Sequence, residues 1–183
     1  MKPVITPVSN PVLPRWFCLG ILALAALLLA GCGNKMVAVS VGGYNHMPDD
    51  GGWAIASFSV NGSGGPNLSP ESGDHGSNCC VMLPEKWHPG MTAKVYWRYT
   101  PEKDNDTRPL PPRQEAEVEI PDYSERGPGP VEVHFYANNR IKVVVSSYGI
   151  ENPQYPMSAA DKLPWKTRED LLDLYPLWQE KKP

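Results

Sequence analysis

The residues best suited to chemistry in this chain are two adjacent cysteines, Cys79 and Cys80, and four histidines at positions 46, 75, 88 and 134. Adjacent cysteines can close an eight-membered disulfide ring, but a regular strand directs neighbouring side chains to opposite faces and so opposes that bond. Three arrangements therefore stay open at this stage. They are a vicinal disulfide, a pair of reduced thiols with one in the core and one near the surface, and a bridge to a second molecule.

Neither a metal site nor a catalytic nucleophile follows from the spacing of these residues. The sequence contains no CxxC and no HxxxH pattern, so no zinc template is matched. Cys80 with His88, or a nearby serine with His75, could be drawn as a nucleophile and base, but no Gly-x-Ser-x-Gly elbow supports either pair. We therefore predict no metal, no cofactor and no enzymatic activity.

Aromatic residues concentrate just after the cysteine pair, at Trp87, Tyr96, Trp97 and Tyr99. Trp97 has the position of a core residue. Trp87 lies in a turn between prolines, where it either closes the end of the fold or anchors a partner, since Trp is a typical interface anchor. Among these residues and the histidines, we select His75, Trp87 and His88 as candidate partner-binding residues.

The first 31 residues have the pattern of a cleaved export signal. Lys2 and Arg15 precede an apolar run over 16–29, which is too short to span a bilayer comfortably. The run ends in Leu29-Ala30-Gly31-Cys32, which resembles a bacterial lipobox. The resemblance implies cleavage before Cys32 and acylation of that residue; the alternative is an uncleaved anchor with a chance cysteine. We expect a signal peptide over 1–31, a lipidated tether over 32–36 and a single β-rich domain over 37–183.

Several acyl chains on Cys32 would hold the domain stably on a membrane, because each buried methylene contributes about 0.8 kcal/mol. No Asp follows Cys32, so the resemblance favours the outer membrane, facing the periplasm. Removal of Lys2 and Arg15 with the signal changes the formal net charge from −3 to −5. Such an acidic domain lacks the basic face that nucleic-acid binding needs.

Seven segments show strand patterning: 37–41, 53–60, 79–83, 92–99, 115–120, 131–136 and 140–147. The clearest is 92–99, which alternates apolar and polar residues as half-buried antiparallel strands do. The last two segments predict a hairpin across Asn138-Asn139. A capping residue at Thr167 predicts a short C-terminal helix. These features predict an all-β chain that forms an antiparallel β-sandwich, Ig-like in architecture, with a short terminal helix.

Two segments have polar character for different reasons. Residues 62–78 are rich in Gly, Ser, Pro and Asn, and they predict a long loop that contributes to the partner surface. Glu115, Glu117 and Glu119 alternate with apolar residues. Three like charges on one face predict an outward face or a sheet edge, where charge discourages the addition of a further strand.

Several motifs together resemble one family of bacterial lipoproteins, the domain of unknown function 3304. The motifs are Gly43-Tyr44-Asn45-His46, Val60-Asn61-Gly62, Cys79-Cys80, Leu83-Pro84, Trp87, Pro89-Gly90, the Val-x-Trp strand, Val133-His134-Phe135 and Tyr155-Pro156. The resemblance covers about 37–156. The loop reads Gly73-Asp74-His75-Gly76, which departs from the run of consecutive glycines expected there.

Members of that family resemble lipoproteins encoded beside type VI secretion phospholipase effectors. The resemblance implies an immunity role, in which a tethered periplasmic domain binds and blocks a toxic lipase. A structural or ligand-binding envelope lipoprotein is the alternative. The expected partners are thus the membrane, through Cys32, and a protein, with a lipase effector as the implied one.

Overall fold

The computed structural model describes residues 35–49, 51–125 and 127–162, with the side chains of 74–77 excluded. Within these residues the chain forms eight strands and one short helix. They are β1 (Met36–Asn45), β2 (Trp53–Val60), β3 (Ser63–Gly64), β4 (Ser72–Pro84), β5 (Thr92–Pro101), β6 (Gln114–Glu119), β7 (Val131–Phe135), β8 (Ile141–Val145) and α1 (Ala159–Lys162).

The strands form two four-stranded sheets that pack face to face. The first sheet has the order β4-β1-β7-β8 and the second has the order β3-β2-β5-β6. Alternation along each strand supplies the core between them: in β5, Ala93, Val95, Trp97 and Tyr99 are buried. The predicted all-β sandwich is therefore confirmed, and so are the hairpin of β7 with β8 and the edge position of β6, whose three glutamates are exposed.

One pairing differs from the all-antiparallel prediction. β1 pairs in parallel with β7, from Val41 opposite Val131 to Asn45 opposite Phe135, so the first sheet is mixed. Parallel neighbours need a long crossover connection. Here the whole of β2 to β6 intervenes, and residue patterning within a strand carries no information about the direction of a partner so distant in sequence.

The loop predicted over 62–78 is largely wrong. β3 occupies Ser63–Gly64, and β4 begins at Ser72 and pairs with the far half of β1. The glycines that suggested a loop are required by packing: a Cβ on Gly73 would overlap the ring of Tyr44, and one on Gly65 would overlap the ring of Phe58. Small residues in this segment make room for aromatic neighbours, which composition alone does not reveal.

The two predicted terminal features lie outside the described residues. They are the signal peptide with the tether up to residue 34 and the helix from Thr167. The short helix α1 lies before that position and was not predicted. Among the described residues, no helix has the length and hydropathy that crossing a membrane would need.

A second, smaller core lies on the outer face of the first sheet. Tyr44 and Val144 on that face pack with Ile150 and Tyr155 from the segment after β8, with Tyr148 and Met157 alongside. We refer to residues 148–162 as the cover segment. As a result all five residues of β7 are buried, including Glu132 and His134, which alternate with the valines of the main core.

Gly43 offers a direct test of this packing. A Cβ at Gly43 would lie 2.7 Å from the carbonyl oxygen of Val133 and 3.2 Å from side-chain atoms of Leu68 and Phe58. Because rigid backbone is the closest obstacle, we expect Gly43→Ala to lower the free energy of unfolding by about 2 kcal/mol, as overpacking does. Urea denaturation measures the change.

The matched control is Gly64→Ala, where an added Cβ meets nothing nearer than the carbonyl oxygen of Phe58 at 4.0 Å. This variant should stay within about 1 kcal/mol of the natural chain. Equal stabilities of the two variants would contradict the close approach of β1 and β7 at Gly43.

Candidate functional site

The only cluster of titratable side chains that the described part of the structure buries lies beneath the cover segment. β7 presents Glu132 and His134 on the outer face of the first sheet. His46 follows directly after β1, and its backbone N–H donates to the carbonyl of Phe135 at 2.8 Å, which fixes it beside His134. Tyr155 enters from the cover segment. We call these four residues the buried polar chain.

Hydrogen bonds join the four side chains in a line. His46 Nε2 lies 2.8 Å from His134 Nδ1, and His134 Nε2 lies 2.5 Å from the hydroxyl oxygen of Tyr155. The Tyr155 hydroxyl donates to Glu132 Oε2 at 2.5 Å. These hydrogen bonds link the end of β1, β7 and the cover segment, in addition to the apolar contacts of the smaller core.

The donors and acceptors of this line can be assigned from the carboxylate end. The Tyr155 hydroxyl has a single proton, and it donates that proton to Glu132 Oε2. The tyrosine oxygen then accepts from His134 Nε2–H, and Nδ1 of that neutral imidazole accepts from His46 Nε2–H. Both histidines are thus Nε2–H tautomers, and every bond of the chain runs toward Glu132.

Ring stacking holds the same imidazoles in place. The ring of His134 stacks on Tyr44 with centroids 5.0 Å apart, and the ring of His46 stacks on Tyr136 at 4.6 Å. The two imidazoles lie 5.1 Å apart at 19°. Rotation of either imidazole away from its hydrogen bond would therefore also break an aromatic contact.

Asp161 of α1 fastens the far end of the cover segment to the sheet. Its carboxylate accepts from Lys142 at 2.7 Å and from Arg140 at 3.2 Å, and its carbonyl accepts from the Tyr136 hydroxyl at 2.6 Å. The Lys142 bond is the main reason that the pKa of Asp161 falls to about 2. This end of the segment is partly exposed, so its ion pairs contribute less than buried ones would.

Burial controls protonation along the chain. It lowers the pKa of His46 to about 3, with the charge of Arg140 adding to the effect. It also lowers the pKa of His134 well below the ordinary value, helped by His46 and Lys142. Burial raises the pKa of Tyr155, and the Glu132 carboxylate raises it further. Both imidazoles and the phenol therefore stay neutral at physiological pH.

The four side chains have the composition of a proton relay, but they are buried away from solvent. The exposed fractions are 4% for His46, 0% for Glu132, 0% for His134 and 2% for Tyr155. A catalytic group must reach the proton that it transfers, and none of these side chains reaches the surface. Nor does the described part of the chain contain a group of three or more His, Cys, Asp or Glu that could hold a metal ion. What these contacts do is attach the cover segment to the sheet.

The cysteine pair lies elsewhere, on β4 at the edge of the first sheet. A disulfide joins Cys79 to Cys80, and the peptide bond between them is cis. Val39 pairs with Val81 and Val41 with Asn78, so the two cysteines face a single residue of β1 in a break of the register. The argument that a regular strand opposes the bond does not apply here, since β4 is irregular at this point.

The three candidate partner-binding residues do not form one patch. Position 75 lies near the start of β4, whereas Trp87 and His88 follow its end; a strand rises about 3.3 Å per residue, so roughly 30 Å separates them. The His75 side chain and Cys32 lie outside the described residues. Trp87 is half-buried against the main core, and its indole donates to the carbonyl of Ile120 at 2.8 Å. His88 is exposed.

The buried polar chain was not predicted from the sequence. Polar residues alternating with valines in β7 suggest a solvent-facing side, and His46 follows a strand in apparent loop. The available signal was the tail: Tyr148 and Tyr155 lie in a Pro-punctuated segment with Ile150 and Met157. A tail with that apolar content needs a surface to pack on, and the outer face of the last hairpin is the nearest one.

Removal of the Tyr155 hydroxyl should show how much the buried polar chain contributes to the stability of the fold. Tyr155→Phe removes the donor to Glu132 and the acceptor of His134, and a hydrogen bond to a charged group contributes about 1.5–3 kcal/mol. We expect the free energy of unfolding to fall by about 2 kcal/mol or more. Tyr123→Phe is the control, because its hydroxyl donates to the neutral carbonyl of Pro84 and should cost about 1 kcal/mol. A smaller loss for Tyr155→Phe than for Tyr123→Phe would contradict the assignment.

Stability should also decline in mild acid. Both imidazoles are neutral in the folded state and bind protons below about pH 6.5 once the chain unfolds, so their contribution is complete above pH 6.5 and is lost as the pH falls towards 3. Two such groups give a slope of about 2 kcal/mol per pH unit between pH 6 and 5. Urea denaturation across this range measures the slope, and ¹⁵N NMR reports the Nε2–H tautomers.

The control for this pH dependence is His88→Gln. His88 is exposed, and its ring nitrogen Nδ1 lies 3.2 Å from the carbonyl oxygen of the neighbouring Pro89. The variant should keep the slope of the natural chain. A stability that is flat from pH 7 to pH 5 would show that the imidazoles are not held neutral.

The sequence profile of a family described as protein of unknown function (DUF3304) matches residues 44–143, which is more than half of the 183 residues. The matched range begins at Tyr44 and contains three members of the buried polar chain, His46, Glu132 and His134. No curated protein and no solved structure matches the chain. The extent of the profile match shows that this chain belongs to the DUF3304 family.

Proposed function

We propose that this protein is a membrane-anchored, periplasm-facing lipoprotein that acts as a binding module, and that it neutralises a type VI secretion phospholipase effector as an immunity protein. The anchor rests on the lipobox-like Leu29-Ala30-Gly31-Cys32. The class of partner rests on the resemblance of the Cys79-Cys80 to Pro89-Gly90 block to lipoproteins encoded beside such effectors.

A binding role is favoured over an enzymatic role because the side chains of the buried polar chain are inaccessible to solvent. The four side chains with the composition of a catalytic relay are at most 4% exposed, so a substrate cannot reach them without displacement of the cover segment. An immunity protein needs no chemistry of its own. It needs a rigid scaffold with an accessible surface of adequate area.

The turn from β4 to β5 is the surface we propose for the partner. Residues 85, 86 and 88–90 are all exposed, and they project from a base that Trp87 fixes to the core through its bond to Ile120. An exposed turn on a rigid base loses little conformational entropy on binding. With a formal net charge of −5 after signal removal, the domain would also capture a basic toxin quickly.

A structural or ligand-binding role in the envelope is the second candidate. One observation favours it: the outer face of the second sheet carries a cleft of about 260 Å³ lined by polar and cationic side chains. A ligand-binding lipoprotein would use that face, whereas the proposed immunity protein would use the β4–β5 turn. The two candidates thus differ in which surface is sensitive to mutation.

The test of the immunity proposal is capture and inhibition. The acylated chain, purified from membranes, should bind a type VI secretion phospholipase effector from the same organism, block its activity on phospholipid vesicles and protect cells that export the enzyme. His88→Ala should weaken capture at least fivefold, because it removes an exposed contact residue and leaves the packing of Trp87 in place. Cys32→Ser should remove the fatty acid, detected by mass spectrometry, and with it the protection.

Asn105→Ala serves as the control for binding, which it should leave unchanged, because Asn105 is exposed in the loop after β5, at the opposite end of that strand from the turn. A chain that carries the fatty acid but neither binds nor inhibits the phospholipase effectors of its organism would refute the immunity role and leave the anchor intact. A chain found in the cytosol with residues 1–31 still attached would refute the anchor.

A further inference from the structure

The outer face of the second sheet holds a cleft whose cationic side chains have no anionic partner among the residues that the structure describes. Ser57 of β2 pairs in register with Arg98 of β5, and Ser59 pairs with Tyr96. The pairing of β5 with β6 ends at Trp97 opposite Gln114, so the next step along the strands brings Arg98 beside Arg113. These five residues line the cleft of about 260 Å³, together with Phe58 and Trp97.

Two like charges at neighbouring positions of adjacent strands destabilise a sheet unless an anion lies between them. Within the described residues, neither Arg98 nor Arg113 forms an ion pair or donates a side-chain hydrogen bond. Arg113 lies over the ring of Tyr96 with its guanidinium carbon 4.5 Å from the ring centroid, which holds it across the cleft. Its hydrogen-bond donors therefore remain available.

Two other arginines show how this fold ordinarily uses the same stacking. Arg108 lies over Trp53 at 4.2 Å and is paired with Asp106, and it also donates to the carbonyl of Gly51 at 2.7 Å. Arg140 lies over Tyr136 at 3.8 Å and is paired with Asp161. A stacked arginine in this structure thus comes with a carboxylate, and Arg113 lacks one.

We propose that this cleft binds a phosphate group, with Arg98 and Arg113 as charged donors and the hydroxyls of Ser57 and Ser59 as neutral donors. A planar guanidinium matches two phosphate oxygens at once, which makes arginine the common choice for such sites. Binding leaves each guanidinium ionised and breaks no covalent bond. The proposal does not depend on the immunity role.

The surroundings limit the size of the ligand. Glu115 lies opposite Tyr96 and is followed along the exposed edge of β6 by Glu117 and Glu119. This acidic edge would repel an extended polyanion, which excludes nucleic acid from the same face. A single phosphate, either free or on a phospholipid headgroup, is small enough to contact both arginines without reaching the glutamates.

The test uses the full chain and water-soluble phosphates at constant ionic strength, adjusted with chloride. NMR of the arginine Nε–Hε groups follows titration with inorganic phosphate, glycerol 3-phosphate and glycerophosphoglycerol. Saturable shifts of the Arg98 and Arg113 signals support the site. Tighter binding of glycerophosphoglycerol than of inorganic phosphate identifies a lipid headgroup as the source, and the reverse order identifies free phosphate.

Arg98→Gln and Arg113→Gln should each weaken binding about tenfold, the effect of removing one charge-assisted hydrogen bond. Lys103→Gln is the matched control, an exposed cation in the loop after β5, and it should bind as the natural chain does. Urea denaturation confirms that the arginine variants are folded. Shifts that rise linearly without saturation, or equal weakening by Lys103→Gln, would overturn the proposal, because either result means that only general charge screening is observed.

Discussion

The structure depends on one constraint, the burial of β7 on both of its faces. Val131, Val133 and Phe135 face the main core, and Glu132 and His134 face the cover segment. A carboxylate and an imidazole out of contact with water are strongly destabilising unless each finds a partner. The partners come from two distant places, His46 after β1 and Tyr155 in the cover segment, so satisfying β7 requires the whole first sheet to be assembled.

This requirement explains why the cover segment is ordered although it has little regular structure. Between β8 and α1 it contains no strand, yet Ile150 and Tyr155 are buried and Tyr155 joins both polar residues of β7. Its far end is fixed by Asp161 to Lys142 and Arg140. The segment is therefore attached at two points, the buried hydrogen bonds of Tyr155 and the partly exposed ion pairs of Asp161. Breaking the buried attachment costs more free energy, because it would leave buried polar groups without hydrogen bonds.

Strand patterning made most of this fold predictable. The bounds of β2 were predicted without error at 53–60, and all seven predicted strands exist, because each has one face in the main core and so alternates with period two. The errors fall where a second surface is involved. β4 was predicted too short, because Gly73 in its first half, which makes room for Tyr44, suggested a loop. The covered face of β7 was predicted to be exposed to solvent. Local composition cannot show what packs on a strand from elsewhere in the sequence.

The two sheets differ in what their outer faces offer. The cover segment covers the outer face of the first sheet over β7 and β8. The polar side chains of that face are buried and hydrogen-bond with one another and with Tyr155. The outer face of the second sheet carries an open cleft, and its two arginines form no ion pair within the described part of the chain. The main core separates the two faces. Within it the ring centroids of Trp97 and Phe135 lie 5.9 Å apart. A ligand on the open face would therefore meet a rigid floor, and its binding would not require the buried polar chain to change. A variant of the buried polar chain and a variant of the open cleft should therefore have independent effects, because the two sets of residues share no contacts across the core.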